Sequence, residues 1–332
     1  MQPMAMLEKA QRKGKKYLNP VPTSVGSWRT FLKVLLRYLT TREERLPKQS
    51  LGPFRTDPRV YATPPASGMR VTWMGHSSLL LELDGTNVLV DPVWEQRPAP
   101  VEWFGPKRFF DPPLRLEDLP RIDVVLVSHD HYDHLGARTV RRLAQLEAAA
   151  DAQWVTTLGV GKFLVQLGAK RVRQLDWTEN FRVGQLELTA LPARHFSGRG
   201  LGRFETLWAS FVLAGPKHLI YYGADSGEWE GFKEIAQSYG PFDLTLLEIG
   251  ASDPLWADIH MGPDGAVRTF RAMGGLGLMM PIHWGLFSLA LHPWRQPIER
   301  VFASDGLKIW APEPGKPTEF IAGIEHRSEW WR

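Results

Sequence analysis

The sequence predicts a layered α/β domain, with sheet faces covered by helices, behind a basic N-terminal helical extension. Three observations carry that reading. Short apolar runs of strand length recur from residue 70 onward, segments of helical period alternate with them, and the excess positive charge sits at the N-terminal end. Residues 1–50 hold 11 Lys and Arg against 3 Asp and Glu, a balance of +8, so the rest of the chain balances at −4. The charge balance of the body therefore gives no sign of nucleic-acid binding, and no such partner is expected. With 43% hydrophobic residues among 332, one sizeable core can form. The chain has no Cys, which excludes disulfides, Cys-ligated zinc and thiol nucleophiles and leaves His and carboxylates as strong metal ligands. No apolar run approaches the roughly 20 residues of a membrane span, and the first residues lack the apolar stretch of a secretory signal. The expectation is a cytoplasmic protein, soluble or peripheral to the membrane.

Taken in order, residues 1–27 are basic and then rich in Pro, Ser and Gly, which reads as a mobile or surface-laid arm. Trp28, Phe31, Leu32, Leu35, Leu36 and Leu39 fall on one face of an α-helix over 28–39, with Arg29, Lys33 and Arg37 off that stripe. Such a helix either docks on the body or on a second copy of the chain, or lies in a membrane interface. The extension is expected to span 1–69 and the domain 70–332. Residues 79–83 and 87–90 flank Asp84-Gly85-Thr86, a turn signal that predicts a hairpin. Further strands are expected at 154–158, 172–176, 185–191, 206–214, 218–223, 244–249 and 277–282. Helices fit near 136–149, 160–167, 231–239, 263–273 and 295–303. The run Trp103 to Phe110 has no period and reads as a loop rich in aromatics.

The chemistry concentrates in Ser128-His129-Asp130-His131-Tyr132-Asp133-His134. Val124-Val125-Leu126-Val127 before it reads as a buried strand, and the run from Leu135 to Leu143 after it as a helix. His and carboxylate side chains packed this densely on a strand-to-helix loop point to metal binding rather than to a polar surface turn. His195, Asp225 and His283 each end a predicted strand, where open α/β sheets place their sites. Each alone is weak; together with the four ligands of the motif they meet the need of a two-metal site.

These residues resemble the metallo-β-lactamase superfamily, whose His-x-His-x-Asp-His signature is likewise followed by separate His, Asp and His residues at strand ends. Trp73-Met74-Gly75-His76-Ser77-Ser78, Val90-Asp91-Pro92, Phe104-Gly105-Pro106-Lys107-Arg108-Phe109, Gly240-Pro241-Phe242-Asp243-Leu244 and Ile282-His283-Trp284-Gly285 narrow the resemblance to the N-acyl-phosphatidylethanolamine phospholipase D branch. The ascorbate-6-phosphate lactonase branch shares fewer of them. The resemblance covers about residues 70–310 and implies a four-layer αββα sandwich. It also implies two divalent metal ions, zinc by default with manganese or iron able to occupy the same set. One would be held by His129, His131 and His195, the other by Asp133, His134 and His283, with Asp225 bridging.

The activity implied is hydrolysis by a hydroxide shared between the metals, with Asp133 and Asp225 as the catalytic carboxylates. An N-acyl phospholipid phosphodiester is the favoured substrate, and a lactone or cyclic ester of a small molecule the alternative. His76, Asp91, His260 and Arg199 are the candidates for contacting substrate or orienting ligands. Partners expected are the substrate itself, a membrane surface through residues 28–39, and a second copy of the chain. Diiron redox relatives carry a carboxylate where His131 stands, which argues against that class. The chain departs from the branch at Ala224-Asp225-Ser226-Gly227, where Gly-Asp-Thr-Gly is usual, at Ser252, where the phospholipase carries Tyr, and at Asp264-Gly265, which replaces a Glu-Glu pair.

Overall fold

The computed structural model describes residues 7–26, 28–40, 42–200 and 202–332. A short hairpin, β1 (Arg12–Lys13) and β2 (Lys16–Tyr17), and helix α1 (Trp28–Thr40) precede the body. The first sheet contains β3 (Met69–Gly75), β4 (Ser78–Leu83), β5 (Thr86–Val90), β6 (Val124–Val127), β7 (Gln153–Thr157) and β8 (Arg171–Leu175) in that order. The second contains β9 (Asn180–Val183), β10 (Leu186–Leu191), β11 (Ser210–Ala214), β12 (Leu219–Tyr222), β13 (Leu244–Glu248) and β14 (Leu278–Ile282). Of the C-terminal strands, β15 (Trp310–Ala311) pairs with β17 (His326–Arg327), while β16 (Thr318–Glu319) closes the first sheet beside β3. Helices α2 (Ala137–Leu143) and α3 (Val160–Gln166) cover the first sheet; α4 (Gly231–Tyr239) and α5 (Gly262–Ala272), with α6 (Gln296–Phe302) beside α5, cover the second.

The layers follow from the period of two in a strand. Leu79, Leu81 and Leu83 enter the core between the sheets, and Leu80 on the other face joins Leu89, Val125, Val127 and Trp154 beneath Val140 of α2 and Leu164 of α3. Parallel pairing through β6 and of β12 through β14 buries both faces of these strands, which is why they read as apolar runs, whereas β8 at the sheet edge is largely exposed. This is the four-layer αββα sandwich expected. The expected helix at 136–149 ends at Leu143 and resumes as a short 3₁₀ turn at Glu147–Ala149. Residues 206–209 do not join the ladder, and β9 appears where no strand was expected, as a polar edge strand.

The arm is laid on the body. Tyr17 is buried in the central core and its N–H donates to Phe204 O at 2.8 Å, while Lys9 pairs with Glu179 at 2.9 Å. Helix α1 forms as expected. The side chains of Trp28, Arg29, Phe31 and Leu35 lie outside the described residues, but Leu32, Leu36 and Leu39 are 45%, 63% and 73% exposed, so this part of the stripe does not dock on the body. Arg37 forms a charge pair with Asp253 at 2.7 Å, which fixes the helix beside the loop after β13. Among the described residues, no helix is long and apolar enough to cross a membrane.

Candidate metal centre

The site forms where strands from both sheets end on one edge of the sandwich. His76 follows β3, Asp91 follows β5, residues 129–134 follow β6, Asp225 follows β12 and His283 follows β14. His76, Asp91, Ala224, Ala251 and His283 all have positive φ, between 39° and 63°, in a region that non-glycine residues seldom occupy. Each such residue costs about 1–3 kcal/mol and persists only where its surroundings enforce it. Gly250 has no alternative: a Cβ there would lie 2.0 Å from His283 O. The left-handed residues turn the chain sharply at the strand ends and bring the side chains inward.

Three imidazoles converge. His131 Nδ1 lies 2.9 Å from His129 Nε2 and 3.2 Å from His195 Nε2. Their tautomers follow from the partners on the far side of each ring. His195 Nδ1 is 2.9 Å from Ile259 O, which only accepts, so Nδ1 carries the proton and Nε2 is bare. Ser128 Oγ donates to Asp91 Oδ2 at 2.6 Å, so His129 Nδ1, 2.9 Å from that hydroxyl, donates to it and again leaves Nε2 bare. Bare nitrogens aimed at one another repel unless a cation lies between them. Ligands bonded to zinc at 2.0–2.1 Å in a tetrahedron stand about 3.3 Å apart, and the observed spacings fall around that value.

A second group, His76, Asp133, His134 and His283, faces the first. Asp133 Oδ2 is 3.0 Å from His76 Nε2 and 3.3 Å from His283 Nε2. His134 donates through Nδ1 to Asp91 Oδ2 at 2.7 Å, and its Nε2 lies 3.1 Å from Asp225 Oδ2 without hydrogen-bond alignment. Asp225 Oδ2 is the atom common to both groups, 3.1–3.2 Å from His134 and His283 and 3.6–3.8 Å from His195 and His129. Its Oδ1 is buried with no hydrogen-bond partner. The donor set is oxygen and imidazole nitrogen in two adjoining clusters, and it fits divalent first-row cations.

Charge distribution agrees with that fit. Burial pushes the His129, His131 and His195 rings below the ordinary imidazole range, so they are neutral donors at pH 7. Burial drives His76 down to about 3, helped by His283. Burial also opposes charge on His134 and His283, but Asp225 and Asp133 outweigh it, raising His134 well above the ordinary range and His283 to about 10. Asp133 and Asp225 are held well below the usual carboxylate range, because the neighbouring imidazoles outweigh the cost of their burial.

The remaining expected residues take distinct positions. Asp91 is fully buried and accepts from Ser128 N, Ser128 Oγ, His134 Nδ1 and Tyr222 Oη, so it orients the motif. His260 lines the cavity over the centre and donates through Nδ1 to Glu248 at 2.6 Å. Arg199 turns away from that cavity. Its guanidinium stacks between Tyr132 and Phe163 and donates to Asp130 O and Leu135 O, bracketing the motif from behind.

Several partners were not legible beforehand. Glu248 looked like one more strand residue, although a lone acid ending an apolar run was a signal. Asp130 accepts from Gly198 N and Thr206 Oγ1, tying the motif to the loop of His195. Asn19, from the arm, donates to His195 O at 2.7 Å and accepts from His195 N at 2.9 Å. The cavity above the centre measures about 260 Å³, and Val25, Gly26, Phe196, Trp256 and Leu289 form much of its wall.

The profile of a beta-lactamase superfamily domain matches residues 86–284. An uncharacterized protein of Mycobacterium tuberculosis is 44% identical over 274 residues, which cover 80% of this chain and 73% of that one. N-acyl-phosphatidylethanolamine-hydrolyzing phospholipase D 1 of Caenorhabditis elegans is 36% identical over 239 residues, 67% of this chain and 65% of that one. Among solved structures, an isothiocyanate hydrolase from Delia radicum gut bacteria shares the fold with a TM-score of 0.60 at 21% identity, covering 76% of this chain and all of that one.

Proposed function

We propose, from the premise that this chain belongs to the beta-lactamase superfamily of metal-dependent hydrolases, that it is a binuclear enzyme cleaving a phosphodiester of the N-acyl phospholipid class. The observation that carries the binuclear reading is Asp225 Oδ2, which is shared between two groups of donors. His129, His131 and His195 would hold one ion, and Asp133, His134 and His283 the other, with Asp225 between them. His76 joins the second group in space, because its Nε2 reaches Asp133. Zinc suits the imidazole-rich set, and manganese or iron can occupy it. Two such ions supply Lewis acidity and a water acidified to near neutral pH.

The chain's own residues supply the rest. Asp91, Ser128 and Ile259 O hold the outer ring nitrogens of His134, His129 and His195, so that each ring turns its Nε2 inward. Phe196, Trp256 and Leu289 give the cavity an apolar wall beside the centre, which strengthens electrostatic interactions along it. His260, held by Glu248, presents its other ring nitrogen as a proton acceptor or donor for the group that departs.

The phospholipid reading draws on the likeness to the C. elegans phospholipase and on α1. The segment entering that helix, Val25 and Gly26, forms the cavity lip, and the helix then exposes Leu32, Leu36 and Leu39 beside basic residues. A cavity of about 260 Å³ admits a headgroup and its phosphodiester but not acyl chains, which would stay in the bilayer under the helix. One observation favours a second reading, a lactone or small cyclic ester: no Lys or Arg is among the described residues lining the cavity. The deciding experiment is a hydrolysis panel of N-acyl phospholipid in vesicles, a soluble phosphodiester and simple lactones, each with Zn²⁺ and with Mn²⁺. Turnover of the phospholipid that is abolished by His131→Ala, in a protein that still folds, is the expected result. Turnover of lactones alone would replace the first reading by the second, and activity retained by His131→Ala would sink both.

A further inference from the structure

We propose that Glu248 is a positioning residue of the centre, a single buried carboxylate that sets the rotation of both His283 and His260. The proposal rests on the binuclear reading above and concerns a residue outside the family motif. Glu248 ends β13 and is fully buried. Its Oε1 accepts from Ser226 N at 3.2 Å and from Met261 N at 3.0 Å, the backbone positions next to Asp225 and His260. Its Oε2 accepts from His260 Nδ1 at 2.6 Å and faces His283 Nδ1 at 3.8 Å. One carboxylate thus spans the ends of β12, β13 and β14 and the loop that carries His260.

The position of His283 gives this contact its meaning. Four imidazoles present Nε2 to Asp225, and three have the outer nitrogen satisfied: His129 by Ser128, His134 by Asp91 and His195 by Ile259 O. His283 Nδ1 is buried and has no hydrogen-bond partner. A ring whose Nε2 binds a cation carries its proton on Nδ1 and holds it more acidic, so that N–H needs an acceptor. Glu248 Oε2 faces it, within a movement of about 1 Å of hydrogen-bond distance. The same oxygen keeps the Nδ1 proton of His260 on the Glu248 side and leaves His260 Nε2 for the cavity. Burying a carboxylate costs several kcal/mol unless it is well partnered. Two backbone N–H groups and two imidazoles are an adequate set, and they are parts of this site.

Glu248→Gln separates shape from function. Its carbonyl oxygen must stay opposite the two backbone N–H groups, which places the amide NH₂ against two ring N–H groups, donor against donor. Ion-free wild type and variant are compared by thermal unfolding, then by Zn²⁺ content, chelator competition and the visible spectrum of the Co²⁺-loaded protein. The expected result is two ions per wild-type chain and, in Glu248→Gln, one ion bound about 10–100-fold more weakly with a changed Co²⁺ spectrum. Glu248→Asp, which keeps the acceptor one methylene back, should show an intermediate loss; it replaces the amide variant if that one does not fold. A lower melting temperature alone, with wild-type affinity for both ions and an unchanged spectrum, overturns the role of Glu248 in either variant. Fewer than two ions in the wild type overturns the binuclear reading itself.

Discussion

Asp91→Asn is the most informative single-atom change in this protein. Asp91 Oδ1 accepts from Ser128 N at 2.7 Å, and Oδ2 accepts from Ser128 Oγ at 2.6 Å, His134 Nδ1 at 2.7 Å and Tyr222 Oη. A backbone N–H can only donate, so the amide oxygen of Asn must remain opposite Ser128 N. The NH₂ then meets three former donors. The two hydroxyls can rotate and accept. His134 accepts there only with its proton on Nε2 and none on Nδ1, which keeps hydrogen between the ring and Asp225, where a cation is to sit. Orienting partners of this kind contribute roughly 10–100-fold to metal affinity, or about 1.4–2.7 kcal/mol. Losing charge-assisted hydrogen bonds at a fully buried carboxylate should lower stability by a further ~2–3 kcal/mol. Chelator competition measures the first quantity and denaturant unfolding of the ion-free protein the second. Two ions bound within twofold of wild-type affinity would refute the tautomer argument, whatever happens to stability.

Four other outcomes are expected. His134 is held well above the ordinary imidazole range and His283 at about 10, so both rings carry an extra proton at neutral pH until a cation displaces it. Metal affinity should therefore fall as pH falls, by about two decades per unit, with two protons released on binding, measurable by pH-stat; release of less than one proton would contradict it. By the same sign, ion-free protein gains stability from His283 below pH 6.5 and loses it as pH rises toward 10, which alkaline unfolding curves report. Asn19→Ala removes both hydrogen bonds to the backbone of His195 and should cost about 1–3 kcal/mol in unfolding, with kcat falling more than KM rises; unchanged kinetics would show that the arm does not hold His195. Leu36→Glu with Leu39→Glu should weaken sedimentation with anionic vesicles by about 100-fold or more while leaving soluble-diester turnover intact. Equal loss of both would mean that the helix serves the folded body.

Much of the site was legible because it is written locally. The motif at 129–134 and the single residues His195, Asp225 and His283 each follow an apolar run long enough to read as a strand, and strand ends are where this architecture gathers function. What remained hidden depends on distance along the chain. The contact between Asn19 and His195 joins residues 176 apart, and nothing in a Pro-rich basic arm announces it. Arg199 beside His195 reads naturally as an anion contact, whereas stacking on Tyr132 and Phe163 turns it into a brace behind the motif. β9 escaped because an edge strand with Asn180 and Arg182 exposed lacks the apolar signature of its buried neighbours. In α1 the period gave the helix correctly. Whether its leucines were covered was a question of tertiary structure, and the described ones are not.

The grip of Asn19 on His195 also bears on how the protein is made. At about 5–20 residues per second, a ribosome needs roughly ten to thirty-five seconds to travel the 176 residues between them. During that interval the arm has emerged and has nothing to hold. It can settle only after β10 exists and Tyr17 has found the core, so the wall formed by Val25 and Gly26 is added to a centre whose other parts come later in translation. An arm made long before the strands it rests on is thus among the last parts to take its place. Removal of residues 7–26, which spares every metal-binding side chain, would trouble maturation without touching the ligands themselves.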